Sequence, residues 1–452
     1  MKNVFLCTIL AISALFLTTG CDNDDPVPTP LPVNNIVELA IDNGFTSLAS
    51  ALTRADLVDV LQGDGPFTVF APTNEAFTAL LAEIGQSSID DIPAEVLKEI
   101  LLYHVVSGTV MSEDISAGDV FTVQGTTVSL SVQNGISINS ANVISPFDVE
   151  ASNGVIHTID QVLVPESIAQ FVNTVLEPAY FNESFTTLIE SAAKAGLVET
   201  LLTTPNLTIF APNNAAFEAS GIDPAQINAE DLGNVLKYHV VASKVLSAEI
   251  PRQATTLAGS EIFFSLTDAG AFINGNTAII ATDIESGTGV VHVLGQVVIP
   301  PIGNIVETAV DLSSSGEFTS LVAALQRTAT EGTPEQNLIG VLSGNGPFTV
   351  FAPTNAAFEA LLNSISDWDS LDDIPLETLI QVLTYHVVTA RAYDQDLPAA
   401  LDANNQLKTA QGSNLSFDLT QFTINGTTKI IAINTHATNG VIHIIDQVLL
   451  PS

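Results

Sequence analysis

An eleven-residue phrase occurs three times along the chain: FTVFAPTNEAF at Phe67–Phe77, LTIFAPNNAAF at Leu207–Phe217 and FTVFAPTNAAF at Phe348–Phe358. Each copy continues to a Tyr-His-Val-Val, at Tyr103–Val106, Tyr238–Val241 and Tyr385–Val388. Each then ends in a Gly-Val-(Ile/Val)-His segment closing on proline, at Gly154–Pro165, Gly289–Pro300 and Gly440–Pro451. The period of roughly 140 residues is that of a whole domain, far above the ~20–50 residues of solenoid repeats. The chain is therefore one domain used three times. Multiplying a module builds reach and valency more readily than it builds an active site.

Within the first copy, apolar residues fall at helical spacing at Ile36, Leu39 and Ala40, then at Phe45, Leu48, Ala51 and Leu52. They predict two short helices before a turn at Gly63-Asp64-Gly65. Phe67–Phe70 reads as a strand stopped by Ala71-Pro72, and Thr73 as the N-cap of a helix burying Ala76, Phe77, Leu80, Leu81 and Ile84. Leu97, Ile100, Leu101 and His104 share one helical face. Alternating segments follow at Phe121–Val123 and Thr127–Val132, with Asn134-Gly135 and Asn153-Gly154 as hairpin signals. Helices gathered early and strands late indicate an α+β domain with an antiparallel sheet. The expected units span 33–166, 167–301 and 302–452, with short joints at Pro165–Ile168 and Pro300–Asn304 that favour a semi-rigid array.

Charge narrows the partners. Eleven Lys+Arg against 50 Asp+Glu give a formal net charge of −39, which repels phosphate backbones, so nucleic acid is not an expected partner. No glycine-rich phosphate loop occurs, and no cofactor is implied. The two cysteines, Cys7 and Cys21, both precede the repeats, so the domains hold together by packing without disulfides or thiolate metal sites.

Residues 1–21 read as an export signal, with Lys2 ahead of an apolar run from Val4 to Leu17 that is too short for a span of ~20 residues. The run ends in Leu17-Thr18-Thr19-Gly20-Cys21, which resembles a bacterial lipobox, with Thr18 where leucine is usual. The resemblance implies lipidation at Cys21 and a bacterial envelope protein anchored in the outer membrane, facing outward. The acidic and proline-rich stretch over 22–32 is then a spacer lifting the first domain off the membrane.

The strand–turn–helix phrase, the Tyr103-His104 pair and the closing Asn153-Gly154-Val155-Ile156-His157 together resemble the fasciclin (FAS1) domain, in ordered blocks across all three copies. The resemblance implies a wedge-like antiparallel β-sandwich carrying helices along one edge, and non-enzymatic adhesion at a cell surface. It also marks a candidate adhesion surface at Tyr103/His104, Tyr238/His239 and Tyr385/His386.

The remaining chemistry is thin. Six of seven histidines recur in two slots: His104, His239 and His386 end helical faces, while His157, His292 and His443 stand among apolar strand neighbours. Both positions suit histidines satisfied by backbone groups. A Ser-His-Asp arrangement would borrow Asp160 and Asp446, but the second copy has Gly295 there, and no Gly-x-Ser-x-Gly elbow occurs. No metal-ligand spacing is present, so catalytic and metal residues are both set at none. The second copy departs most, with Asn213 at the cap and Gly221 and Pro224 shortening the helix, which marks it as a spacer. The third copy carries an insertion around Thr328–Gln336 and the single tryptophan, Trp368.

The chain is accordingly expected to act as a lipid-anchored multivalent array contacting an extracellular protein, a polysaccharide or other cells. The alternative is a glycan-binding or envelope-organising module of the bacterial surface. The sequence leaves the oligomeric state open.

Overall fold

The computed structural model describes residues 34–314 and 316–451; the leader, Cys21 and the 22–32 spacer lie outside the described residues. The first unit opens with three short helices, one more than the apolar spacing indicated: α1 (Ile36–Asp42), α2 (Thr46–Arg54) and α3 (Val58–Gln62). Strand β1 (Phe67–Pro72) runs two residues past the expected stop and leads into α4 (Asn74–Glu83). As the sequence indicates, Thr73 caps α4: its hydroxyl oxygen accepts from the Ala76 N–H at 3.1 Å. Helix α5 (Ala94–Tyr103) delivers the Tyr-His pair to the start of β2 (Val105–Ser107). The remaining strands are β3 (Gly118–Phe121), β4 (Thr127–Ser131), β5 (Ser137–Ile138), β6 (Ala141–Ala151) and β7 (Gly154–Ile159).

These strands pair in the order β2-β1-β7-β6-β5-β4-β3. The domain is α+β, but the sheet is mixed rather than wholly antiparallel, because β1 and β7 run parallel, Phe67 opposite Gly154 through Pro72 opposite Ile159. Every residue of β7 is buried, so it belongs at the centre with a neighbour on each edge. A parallel neighbour needs a long crossover, and the whole segment from α4 through β6 supplies it.

Alternation along the central strands separates two cores. Val69, Ala71 and Ile156 pack with Leu48, Leu52, Phe77, Leu97 and Leu101 of the helical layer. Phe70 and Ile159 pack with Tyr103 and with Val128, Leu130 and Ile138 of β4 and β5. The second cluster joins residues from distant strands of one sheet, so the sheet curls back on itself there. The register shifts in β6 between Ile144 and Val149, where Asp148 takes φ 55°, locate the irregularity beside that curl.

The other two units repeat the plan, with parallel pairs between Thr208–Pro212 and Gly289–Leu294 and between Phe348–Pro353 and Gly440–Ile445. In the second unit Asn213 caps the helix as threonine does elsewhere, and the helix ends early at Ser220 because Gly221 turns left-handed at φ 65°. In the third, the insertion lengthens the helix equivalent to α2 to Thr319–Glu331, and Trp368 packs partly buried against the core.

The two joints differ chemically. Between the first and second units the apolar cluster is continuous, and Arg54 bridges to Glu183 at 2.6 Å while also donating to the Ile92 carbonyl. Between the second and third units the contact is polar.

Candidate functional site

The recurring histidines form two backbone clamps with opposite tautomers. In the first, Leu163 N–H donates to His104 Nε2 at 2.8 Å, so Nδ1 carries the proton and donates to the Ile100 carbonyl at 2.7 Å. His239 repeats this with Val298 N–H and the Val235 carbonyl, and His386 with Leu449 N–H and the Val382 carbonyl. The ring ties the end of its helix to the segment that follows the closing strand. Burial holds all three imidazoles down at about 4, which keeps them neutral near neutral pH.

In the second clamp the roles of the ring nitrogens reverse. Asp148 N–H approaches His157 Nδ1 at 3.4 Å, so Nε2 carries the proton and donates to the Val110 carbonyl at 2.8 Å. His292 and His443 repeat the arrangement with the Val245 and Ala392 carbonyls. The same connecting segment is held on its other side by Thr68, whose hydroxyl accepts from Val110 N–H at 3.0 Å and donates to the Gly108 carbonyl at 2.7 Å. Thr208 and Thr349 do likewise. Both nitrogens of all six rings are thus engaged with backbone.

The tyrosines of the candidate adhesion surface are buried with their histidines: Tyr103 is 6% exposed, Tyr238 0% and Tyr385 3%. Tyr103 donates its hydroxyl proton to the Thr127 carbonyl and accepts from Asn139 Nδ2. Tyr385 does the same with the Asn414 carbonyl and Asn425. None of the six side chains itself presents a contact face; they position the segments around them.

Composition and spacing gave no signal for a further cluster between the second and third units. The seventh histidine, His436, belongs to neither slot and lies against Tyr238 of the second unit, its Nε2 3.3 Å from the hydroxyl. Tyr393 and Arg391 approach its Nδ1 at 2.7 and 3.4 Å. An arginine can only donate, so Nδ1 accepts, and Nε2 donates its proton to the Tyr238 oxygen. Burial, then the Arg391 charge, push His436 down to about 3. The available clue was a pair of residues exchanged between copies. Ser112 and Ser247 donate to Asp148 and Asp283 in the first two units, whereas Asp394 accepts from Asn434 in the third.

Among the described residues, no group of three or more His, Cys, Asp or Glu is placed to hold a metal ion. Nor is any helix among them long and apolar enough to cross a membrane.

The fasciclin domain model matches residues 43–165, 183–300 and 316–451. The chain is similar to the transforming growth factor-beta-induced protein ig-h3 of Sus scrofa, 30% identical over 424 residues, covering 92% of this chain and 58% of that protein. It is 27% identical to periostin of Homo sapiens over 418 residues, 91% of this chain and 46% of that protein. The chain thus spans about half the length of these two relatives. A single-copy match of 46% identity over 132 residues, 29% of this chain and 73% of the other, is found with a protein of Synechocystis sp.. The three matched segments take in most of the sequence, and the chain belongs to the fasciclin domain family as a tandem array of three such domains.

Proposed function

We propose that the chain is a surface adhesion protein: three fasciclin domains in series, held to the bacterial outer membrane through a lipid on Cys21 and contacting matrix protein, polysaccharide or other cells. The observation that carries this reading is the engagement of all six recurring histidines with backbone. The residues shared by the copies maintain architecture, which leaves the exposed surfaces to meet a partner. The six Tyr-His side chains act within this proposal as positioning residues, setting the loops at the tyrosine ends of the domains.

Several weak contacts in one chain gain roughly 10²–10⁴-fold in avidity where the geometry allows simultaneous engagement. Beads coated with residues 22–452 would be scored for retention on extracellular matrix, on a glycan array and on cells of the same strain. Adhesion predicts retention that collapses more than proportionally when two domains are removed. Proportional loss counts against multivalency, and hits confined to discrete sugars would turn the reading to a glycan-binding module. Metabolic labelling with palmitate tests the tether separately, through incorporation that disappears with Cys21→Ser.

A further inference from the structure

We infer that Arg391, Tyr393, Asn434 and His436 form a latch that docks the third domain on the tyrosine end of the second, making the two one rigid unit and closing that end of the second domain to outside partners. The latch is specific to this joint. At the tyrosine end of the first domain, Asn139 holds Tyr103 and the first domain alone supplies the partners of that hydroxyl. In the second domain Asn274 holds Tyr238 in the same way, and His436 of the third domain supplies an additional partner.

The contacts spread outward from that ring. Asn434 Nδ2 donates to Asn276 Oδ1 at 2.8 Å across the joint. Ser265 donates to Asp396 at 2.9 Å, with Arg252 3.8 Å from the same carboxylate. Arg391 lies over the Phe263 ring with 3.9 Å from its guanidinium carbon to the centroid, while its N–H groups donate to the carbonyls of Ala437, Thr438 and Gly440. In a chain with 11 basic residues against 50 acidic ones, placing Arg252 and Arg391 at one joint offsets repulsion between two acidic domains.

The exchange of Asp and Asn fits the same purpose. An aspartate at 434 would have only lone pairs to offer to Asn276 Oδ1 and Asp394, whereas the amide of Asn434 donates to both. Close approach is enforced at Gly275, where a Cβ would lie 2.6 Å from Tyr393 Cβ and 2.7 Å from Asn434 Nδ2. The third domain contains the matched control. Gly426 occupies the equivalent turn at φ 81° against 77° for Gly275, with nothing within 4 Å of an added Cβ.

The consequence for valency rests on the adhesive reading above: if the tyrosine ends make contact, that of the second domain is withheld by the third, while those of the first and third meet no such contact among the described residues. The docking itself stands apart from that reading, and amide exchange measured on the full chain without any ligand reports docking alone. The local hydrogen bonds are matched, because Asn139, Asn274 and Asn425 each donate their N–H to a neighbouring strand carbonyl. The latch predicts that amides of 273–277 exchange at least roughly tenfold more slowly than those of 138–141 and 424–428. Gly275→Ala should abolish that difference, and His436→Ala should reduce it, whereas Gly426→Ala, with the same backbone strain, leaves it intact. Equal exchange at the three turns in the unaltered chain overturns the inference. So does an identical effect of the two glycine substitutions on 273–277.

Discussion

His104 and Leu163 are 59 residues apart in the chain and 2.8 Å apart in space, the N–H of one bonded to the ring of the other. The bond fastens the exit of each domain to the helix that enters its sheet, and the same pair recurs as His239–Val298 and His386–Leu449. A neutral ring is essential to it. An imidazolium would present a donor to a donor, at a ring buried from solvent.

Replacing His104 by alanine strips partners from a buried N–H and a buried carbonyl. Each orphaned group costs about 1–3 kcal/mol, so the first domain should lose roughly 2–6 kcal/mol. Urea denaturation of the variant, followed by fluorescence or circular dichroism, would read this as an earlier first transition. A shift under ~1 kcal/mol would show that the clamp is dispensable.

Acid should loosen all three domains in a defined window. The rings of His104, His239 and His386 are held near 4 in the fold and return to the ordinary 6.5 when exposed. Between those values the unfolded chain binds protons that the folded one refuses. Their contribution is therefore complete above pH 6.5 and declines as the pH falls towards 4, by up to about 1.4 kcal/mol per ring per pH unit. Relief of the −39 charge acts in the opposite sense, so the diagnostic quantity is the difference between the native chain and His104→Gln. That difference should shrink from pH 7 to pH 4.5. Parallel stability curves would mean that His104 does not titrate as described.

The exchanged pair in the third domain offers a double-mutant cycle. Asn434→Asp alone sets a second carboxylate against Asp394 and should destabilise at neutral pH by about 1–3 kcal/mol, with partial recovery on acidification. Adding Asp394→Ser recreates the Ser-Asp pairing seen at Ser112–Asp148 and should restore the third domain's own stability. Calorimetry of the single and double variants checks this, and additive losses would refute the pairing.

Two phenylalanines separate core from surface. Phe77 is 1% exposed in the strand–turn–helix phrase, and Phe77→Ala should cost about 3–5 kcal/mol. Phe121, 72% exposed on the edge strand β3, should tolerate serine within ~0.5 kcal/mol. If Phe121→Ser instead lowers bead retention while stability holds, the edge of the first domain joins the contact surface.

Much of this was legible one residue at a time. Thr73 as a cap, the aromatic anchors of the phrase and the early halt at Gly221 follow from local rules of backbone and periodicity, which act within a few residues. The parallel pairing of β1 with β7 did not follow, because an alternating strand carries no mark of its neighbour's direction. That the Tyr-His pairs offer no contact surface escaped for a related reason: whether a side chain at a helix end is covered depends on what the chain lays over it roughly 60 residues later.

The sequence by itself determined that three copies of one α+β module follow each other, each with its own apolar interior and two structural histidines, since repetition and periodicity are properties of the string. Only the tertiary structure decided that the first joint is apolar and the second polar, and that His436, Asn434 and Gly275 belong together. Those contacts link residues 158 and 198 positions apart, and no local propensity specifies a partner at that distance. They form because two folded surfaces meet, and complementarity between surfaces exists only once both have folded.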